Sequence, residues 1–128
     1  MSSVESNYKF ATTHEWVKDN GDGTVTVGIS EHAQGLLGDV VFVELPEEGD
    51  VTVATENFSL VESVKAASDV YAPVSGVIIA VNEALDDSPE IVNDSPFEDG
   101  WIAKIKLENP QELESLMNFD SYVASLDS

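Results

Sequence analysis

His14 and His32 are the side chains best matched to proton transfer near neutral pH, and Lys65 is a lone amine set among small residues. The histidines have no constellation around them: the chain carries no glycine-rich phosphate loop, no nucleophile elbow and no HExxH. A zinc site would need a third ligand that the spacing does not supply. An isolated histidine beside a strand or helix is ordinarily a partly buried hydrogen-bonding residue. Cysteine is absent, which removes thiolate nucleophiles, disulfides and cysteine-zinc sites, so redox chemistry would have to come from a bound or attached group. The cluster Asp19-Asn20-Gly21-Asp22-Gly23 resembles a calcium loop only superficially, because Gly21 stands where an oxygen ligand is required and the closing Glu is missing. It reads as a turn.

Lys65 lies in Val61-Glu62-Ser63-Val64-Lys65-Ala66-Ala67-Ser68-Asp69-Val70-Tyr71-Ala72-Pro73-Val74-Ser75-Gly76, between two strand-like runs. The pattern predicts an amine projecting from an exposed turn with little bulk around it, which a modifying enzyme could reach. A lysine at a turn is usually only a solvated charge. The longer pattern around this one is what singles it out.

The elements that must position these residues are short. Val17 ends one strand and Thr24-Val25-Thr26-Val27-Gly28-Ile29 forms the next across the Asp/Gly turn. Ser30 caps a helix to about Leu37, stopped by Gly38. Strands follow at Val40 to Leu45, from Val51, at Phe58 to Val64, at Val77 to Val81 and at Trp101 to Leu107, with Tyr71-Ala72-Pro73 and Ser75-Gly76 as punctuation. In the last strand Trp101, Ala103, Ile105 and Leu107 share one face. Asn82 caps a short turn, a helix starts at Pro110 with Leu113, Leu116 and Met117 at helical spacing, and a second runs from Asp120 to Leu126. Many short strands with peripheral helices predict a β-sandwich or barrel.

Composition bounds the partners. With 128 residues and 42% hydrophobic content, one domain over 1–128 is expected. The 25 acidic residues face five lysines and no arginine, a formal charge of -20, which repels nucleic acid and anionic membranes and favours a monomer. No run approaches the roughly 20 apolar residues of a membrane helix, and Met1-Ser2-Ser3-Val4-Glu5 lacks the features of an export signal, so a cytoplasmic location is expected.

The segment around Lys65 resembles the lipoyl-attachment segment of lipoyl carriers, with an E-S-x-K-A core, a following D-V and an A-P-x-x-G turn. Biotin carriers share the architecture, but their lysine is normally flanked by methionines, whereas Val64 and Ala66 flank this one. From Tyr8 to Leu126 the chain resembles the glycine cleavage H-protein family. The resemblance rests on His14-Glu15-Trp16, Gly28-Ile29-Ser30-Glu31-His32-Ala33-Gln34, Gly38-Asp39-Val40-Val41-Phe42-Val43-Glu44-Leu45-Pro46, Val81-Asn82-Glu83-Ala84-Leu85, Pro89-Glu90-Ile91-Val92-Asn93 and Gly100-Trp101, in that order. Departures are Val77, where an acidic or polar residue is common, the run Asn57-Phe58-Ser59-Leu60, and the lack of arginine.

That resemblance implies a lipoyl/biotinyl-carrier-like β-sandwich, the barrel-sandwich hybrid, with short peripheral and C-terminal helices. It implies a non-catalytic carrier with lipoic acid in amide linkage to Lys65, and Glu62 as the acidic flank favoured by lipoylating enzymes. Glu15 and Asp69 would face the carried amine, and His32 would line the cleft that shelters the arm. No metal is implied. The implied partners are the pyridoxal-phosphate glycine decarboxylase, the tetrahydrofolate-dependent aminomethyltransferase, the FAD-containing dihydrolipoamide dehydrogenase and the lipoylating enzymes. Two other readings stay open on the residues alone: a small enzyme using His32 with a carboxylate, and a carrier-fold interaction module whose lysine is never modified.

Overall fold

The computed structural model describes residues 8–11, 13–30, 35, 37–95, 99–118, 121–122 and 124. Nine strands are present among them: β1 (Tyr8–Phe10), β2 (Glu15–Asp19), β3 (Thr24–Ile29), β4 (Val40–Glu44), β5 (Val51–Thr52), β6 (Asn57–Ser63), β7 (Ala67–Tyr71), β8 (Gly76–Val81) and β9 (Ala103–Leu107). They form a six-stranded sheet ordered β1-β2-β3-β9-β8-β5 and a three-stranded sheet ordered β4-β6-β7. Every pairing is antiparallel. The fold is mainly β, as the sequence predicts.

The β2–β3 turn is closed by its own carboxylates. Asp19 Oδ1 accepts from Gly21 N at 2.9 Å, and Asp22 Oδ1 accepts from the Thr24 hydroxyl at 2.6 Å and from Thr24 N at 3.1 Å. Both acids are thus engaged with the loop backbone. Pleating then turns Val17, Val25, Val27, Ile78 and Ile105 of the larger sheet toward Val43, Val61 and Val70 of the smaller, and all eight are buried in one core. Leu85, Val92 and Ile102 extend that core beneath two short helices, α1 (Ala84–Asp87) and α2 (Ile91–Asp94).

The opposite face of the larger sheet is covered at one end. Tyr8, Phe10 and Trp16 form a second buried cluster with Tyr122. Trp16 pairs with Gly28, where a Cβ would stand 2.7 Å from the indole, so the strand needs glycine at that position. The Phe10 and Tyr122 rings stack at 4.4 Å.

Several elements differ from the sequence expectation. Residues 67–71 form the strand β7 rather than a turn before the Val77 run, because β6 supplies a complete antiparallel ladder from Leu60↔Asp69 to Glu62↔Ala67. Asn82 opens the short turn expected there through its carbonyl, which accepts from Leu85 N at 3.1 Å, while its side-chain amide donates to Asp99 O at 2.7 Å and Trp101 O at 2.8 Å, tying β8 to the segment before β9. Residues 110–115 form a 3₁₀ helix instead of an α-helix. It ends where the chain is captured by β1, through Phe10 N to Met117 O at 2.7 Å and Met117 N to Phe10 O at 2.8 Å. Of the helix expected from Ser30 to Leu37, residues 31–34 and 36 lie outside the described residues, while Gly35 and Leu37 are helical. Of the last expected helix, Ser121, Tyr122 and Ala124 are helical.

Candidate functional site

The β6–β7 hairpin turns over Val64, Lys65 and Ala66. None of these takes the left-handed φ that two-residue hairpin loops usually demand. Ser63 makes the turn possible. Its hydroxyl oxygen accepts the N–H groups of Lys65 at 3.2 Å and Ala66 at 3.1 Å, while Ser63 N donates to Ala66 O at 2.8 Å. The turn is also fastened sideways, by Val64 N donating to Asp39 O at 3.0 Å.

Gly38 lies beneath the lysine stem. It has φ +79°, and a Cβ there would stand 3.4 Å from Lys65 Cε. The sequence marked Gly38 only as a helix stop. Asn93 of α2 fixes the strand that follows, accepting from Val40 N at 2.8 Å and donating to Gly38 O at 2.8 Å. Sequence reasoning missed Ser63 and Asn93 as supports; the serine two residues before the lysine was the available signal, whereas nothing local marks Asn93. Lys65 is exposed, and among the described residues its ammonium makes no ion pair. A rigid turn therefore presents an accessible amine. The side chain fits amide attachment of a carboxylic acid, since nothing must be broken to free the nitrogen.

The other predicted residues divide. Glu62 is half-buried on β6, opposite Phe42 and Ala67, so it stands beside the turn. Glu15 begins β2 and is 2% exposed. It accepts from the Thr13 hydroxyl and, through Oε2, from Tyr71 N at 3.0 Å, which joins the two sheets. Burial pushes its carboxyl above the usual carboxylate range, opposed by the Thr13 hydroxyl and the Tyr71 N–H. A small cleft of about 120 Å³ is lined by both Glu15 and Asp69, together with Thr13, His14, Ser68 and the apolar Ile29 and Val61. Asp69 is exposed and also borders a larger acidic groove of about 610 Å³ with Glu44, Glu47, Asp50 and Glu56. It lies four residues after Lys65, on β7 beyond the turn. His32 lies outside the described residues.

Next to Glu15, His14 takes a left-handed backbone with φ +79°, and its Nδ1 is 2.7 Å from the Tyr122 hydroxyl. The same hydroxyl is 2.7 Å from Ser30 Oγ. The C-terminal segment is thereby latched to the wall of the cleft. Burial raises the Tyr122 phenol, with the Ser30 hydrogen bond acting in the opposite sense.

The family model described as "Glycine cleavage H-protein" matches residues 8–128. The chain belongs to the glycine cleavage H-protein family. It is 67% identical over 124 residues to the glycine cleavage system H protein of Aliivibrio fischeri, covering 97% of this chain and 98% of that one. It is 63% identical over 126 residues to that of a Marinomonas species, covering 98% and 99%. Among solved structures, a glycine cleavage system H protein from Mycobacterium marinum superposes with a TM-score of 0.87 at 34% identity, covering 95% of this chain and 98% of that one. As a member of the H-protein family, the chain is a lipoyl-carrier component of the glycine cleavage system. No helix among the described residues is long and apolar enough to cross a membrane.

Proposed function

We propose that Lys65 bears lipoic acid in amide linkage and that the chain, itself non-catalytic, carries the aminomethyl group from the pyridoxal-phosphate glycine decarboxylase to the tetrahydrofolate-dependent aminomethyltransferase. The FAD-containing dihydrolipoamide dehydrogenase would return the carrier to its starting state. The attached group supplies a dithiolane able to accept electrons and the one-carbon unit. The chain supplies position, shelter and charge. What carries this reading is the accessible amine of Lys65, free of any ion pair among the described residues, on a turn braced by Ser63, Asp39 and Asn93.

The carried amine is cationic at neutral pH and loses its methylene to water when exposed, so a carrier gains by folding it against a carboxylate. Glu15 and Asp69, which line one small cleft, are suited to that task; His32 is assigned to it by the family resemblance alone. Glu62, beside the turn, would be read by the lipoylating enzyme. The same reading takes 1–128 as one domain, working as a cytoplasmic monomer with no nucleic acid or membrane partner; the charge of -20 supports solitary, soluble behaviour.

The test is to supply the lipoylated chain with glycine decarboxylase and isotopically labelled glycine, then map the label. Label on the peptide containing Lys65 and none in Lys65→Arg is the expected result. Label that persists in Lys65→Arg would refute the assignment.

A further inference from the structure

The turn that presents Lys65 is flanked by exposed apolar side chains, and a fault in β4 puts two of them there. Val40 pairs with Ser63 and Phe42 with Glu62, which leaves Val41 as an extra residue without a partner on β6. In a regular strand Val41 and Phe42 would point to opposite faces. The bulge instead exposes both, Val41 at 53% and Phe42 at 42%, while returning Val43 to the core at 1%. Val64, within the turn itself, is 66% exposed, and its N–H is held by Asp39, two residues before Val41. Single exposed apolar residues are ordinary; three on and around the turn that carries one reactive amine, two of them brought to the same face by a bulge, mark a contact surface.

We propose that Val41, Phe42 and Val64 form the docking surface for the enzyme that acylates Lys65, and that this enzyme meets them with an apolar patch rimmed by basic groups. The proposal rests on the carrier reading above and names the partner that uses this face. Charge argues against a second copy: the chain carries -20, and Asp39, Glu44 and Glu62 stand around the patch, so two such faces repel. Reach selects among the enzymes that remain. Those that service the cargo meet the far end of a long flexible arm. The acylating enzyme must bring its own reaction centre to Lys65 Nζ, so its footprint has to cover the turn and what adjoins it. In that step the amine attacks the carbonyl carbon of a lipoyl-adenylate made from lipoate and ATP. The N–C amide bond forms, the bond from that carbon to the phosphate oxygen breaks, AMP leaves, and the amine's proton passes to solvent.

Steady-state lipoylation with a lipoate ligase, lipoate and ATP tests this, varying the concentration of wild-type chain, Val41→Ser/Phe42→Ser, Val64→Ser and a control Val77→Thr on the other sheet. KM for the chain should rise at least tenfold in the double variant and severalfold in Val64→Ser. In all variants kcat should stay within twofold, and Val77→Thr should match wild type. Once fully lipoylated, the double variant should serve glycine decarboxylase at the wild-type rate. An unchanged KM in the two patch variants, an equal rise in Val77→Thr, or an equal loss with the decarboxylase overturns the proposal. If the double variant melts early, Val64→Ser alone decides, since it changes only an exposed turn residue. Wild-type chain that accepts no lipoyl group would instead remove the carrier reading itself.

Discussion

Replacing Glu15 by Gln separates what that carboxylate does for the fold from what it does for the cargo. One oxygen accepts from Thr13, whose hydroxyl can turn round and accept instead; Oε2 accepts from Tyr71 N at 3.0 Å. Gln can therefore keep both contacts, and it removes a buried charge. The sign of the pH effect follows from the raised carboxyl, which keeps a proton in the folded chain that the unfolded chain has released. Its stabilising share is complete below the ordinary glutamate value of 4.5 and is lost as pH rises through the higher folded value. Glu15→Gln should thus melt with wild type in acid and at or above it at pH 8.

Glu15→Ala behaves differently, because it strands the Tyr71 N–H, at a cost of about 1–3 kcal/mol. At roughly 4 °C per kcal/mol for a chain of this size, its Tm should fall by about 4–12 °C. For the cargo, loss of a charge-assisted hydrogen bond worth about 1.5–3 kcal/mol predicts roughly 10- to 100-fold faster loss of formaldehyde from the loaded carrier in Glu15→Gln. Single-turnover decay at pH 7 with a formaldehyde trap measures this. Wild-type decay in Glu15→Gln, with wild-type melting, would remove Glu15 from the cargo's surroundings.

Tyr122→Phe deletes the hydroxyl that lies 2.7 Å from both His14 Nδ1 and Ser30 Oγ; thermal denaturation should show a loss of about 1–2 kcal/mol, while lipoylation of Lys65 proceeds at the wild-type rate. Ser63→Ala leaves the Lys65 and Ala66 N–H groups to water in an exposed turn, so stability should fall by only about 0.5–1.5 kcal/mol, but ligase assays should show slower acylation as the turn loosens. Asn93→Ala strips the partners from Gly38 O and Val40 N; a loss of about 1–3 kcal/mol in denaturant titration is expected, with faster amide exchange at Val40.

The strands built from β-branched alternation were legible, since Val25, Val27, Ile78 and Ile105 obey a period of two over one buried face. The exposed turn at Lys65 was legible because the residues around it form a contiguous pattern. β7 was not, because Ala67, Ser68 and Asp69 are poor strand formers that become extended only against the β6 ladder. The 3₁₀ helix at 110–115 escaped for a similar reason: its end is set by a bridge from Met117 to Phe10, far away in sequence. Asn93 reaches Gly38 across 55 positions, a distance over which local patterns carry no signal. Val41 and Phe42 looked like strand interior, and the bulge that exposes them exists only in the pairing of β4 with β6.

The intact mass of the chain, taken before and after incubation with lipoate, ATP and a lipoate ligase, bears most directly on the carrier assignment. One lipoyl amide added to the wild-type chain and none to Lys65→Arg is the result expected. A wild-type mass that does not change, or a lipoyl group still gained by Lys65→Arg, would contradict it.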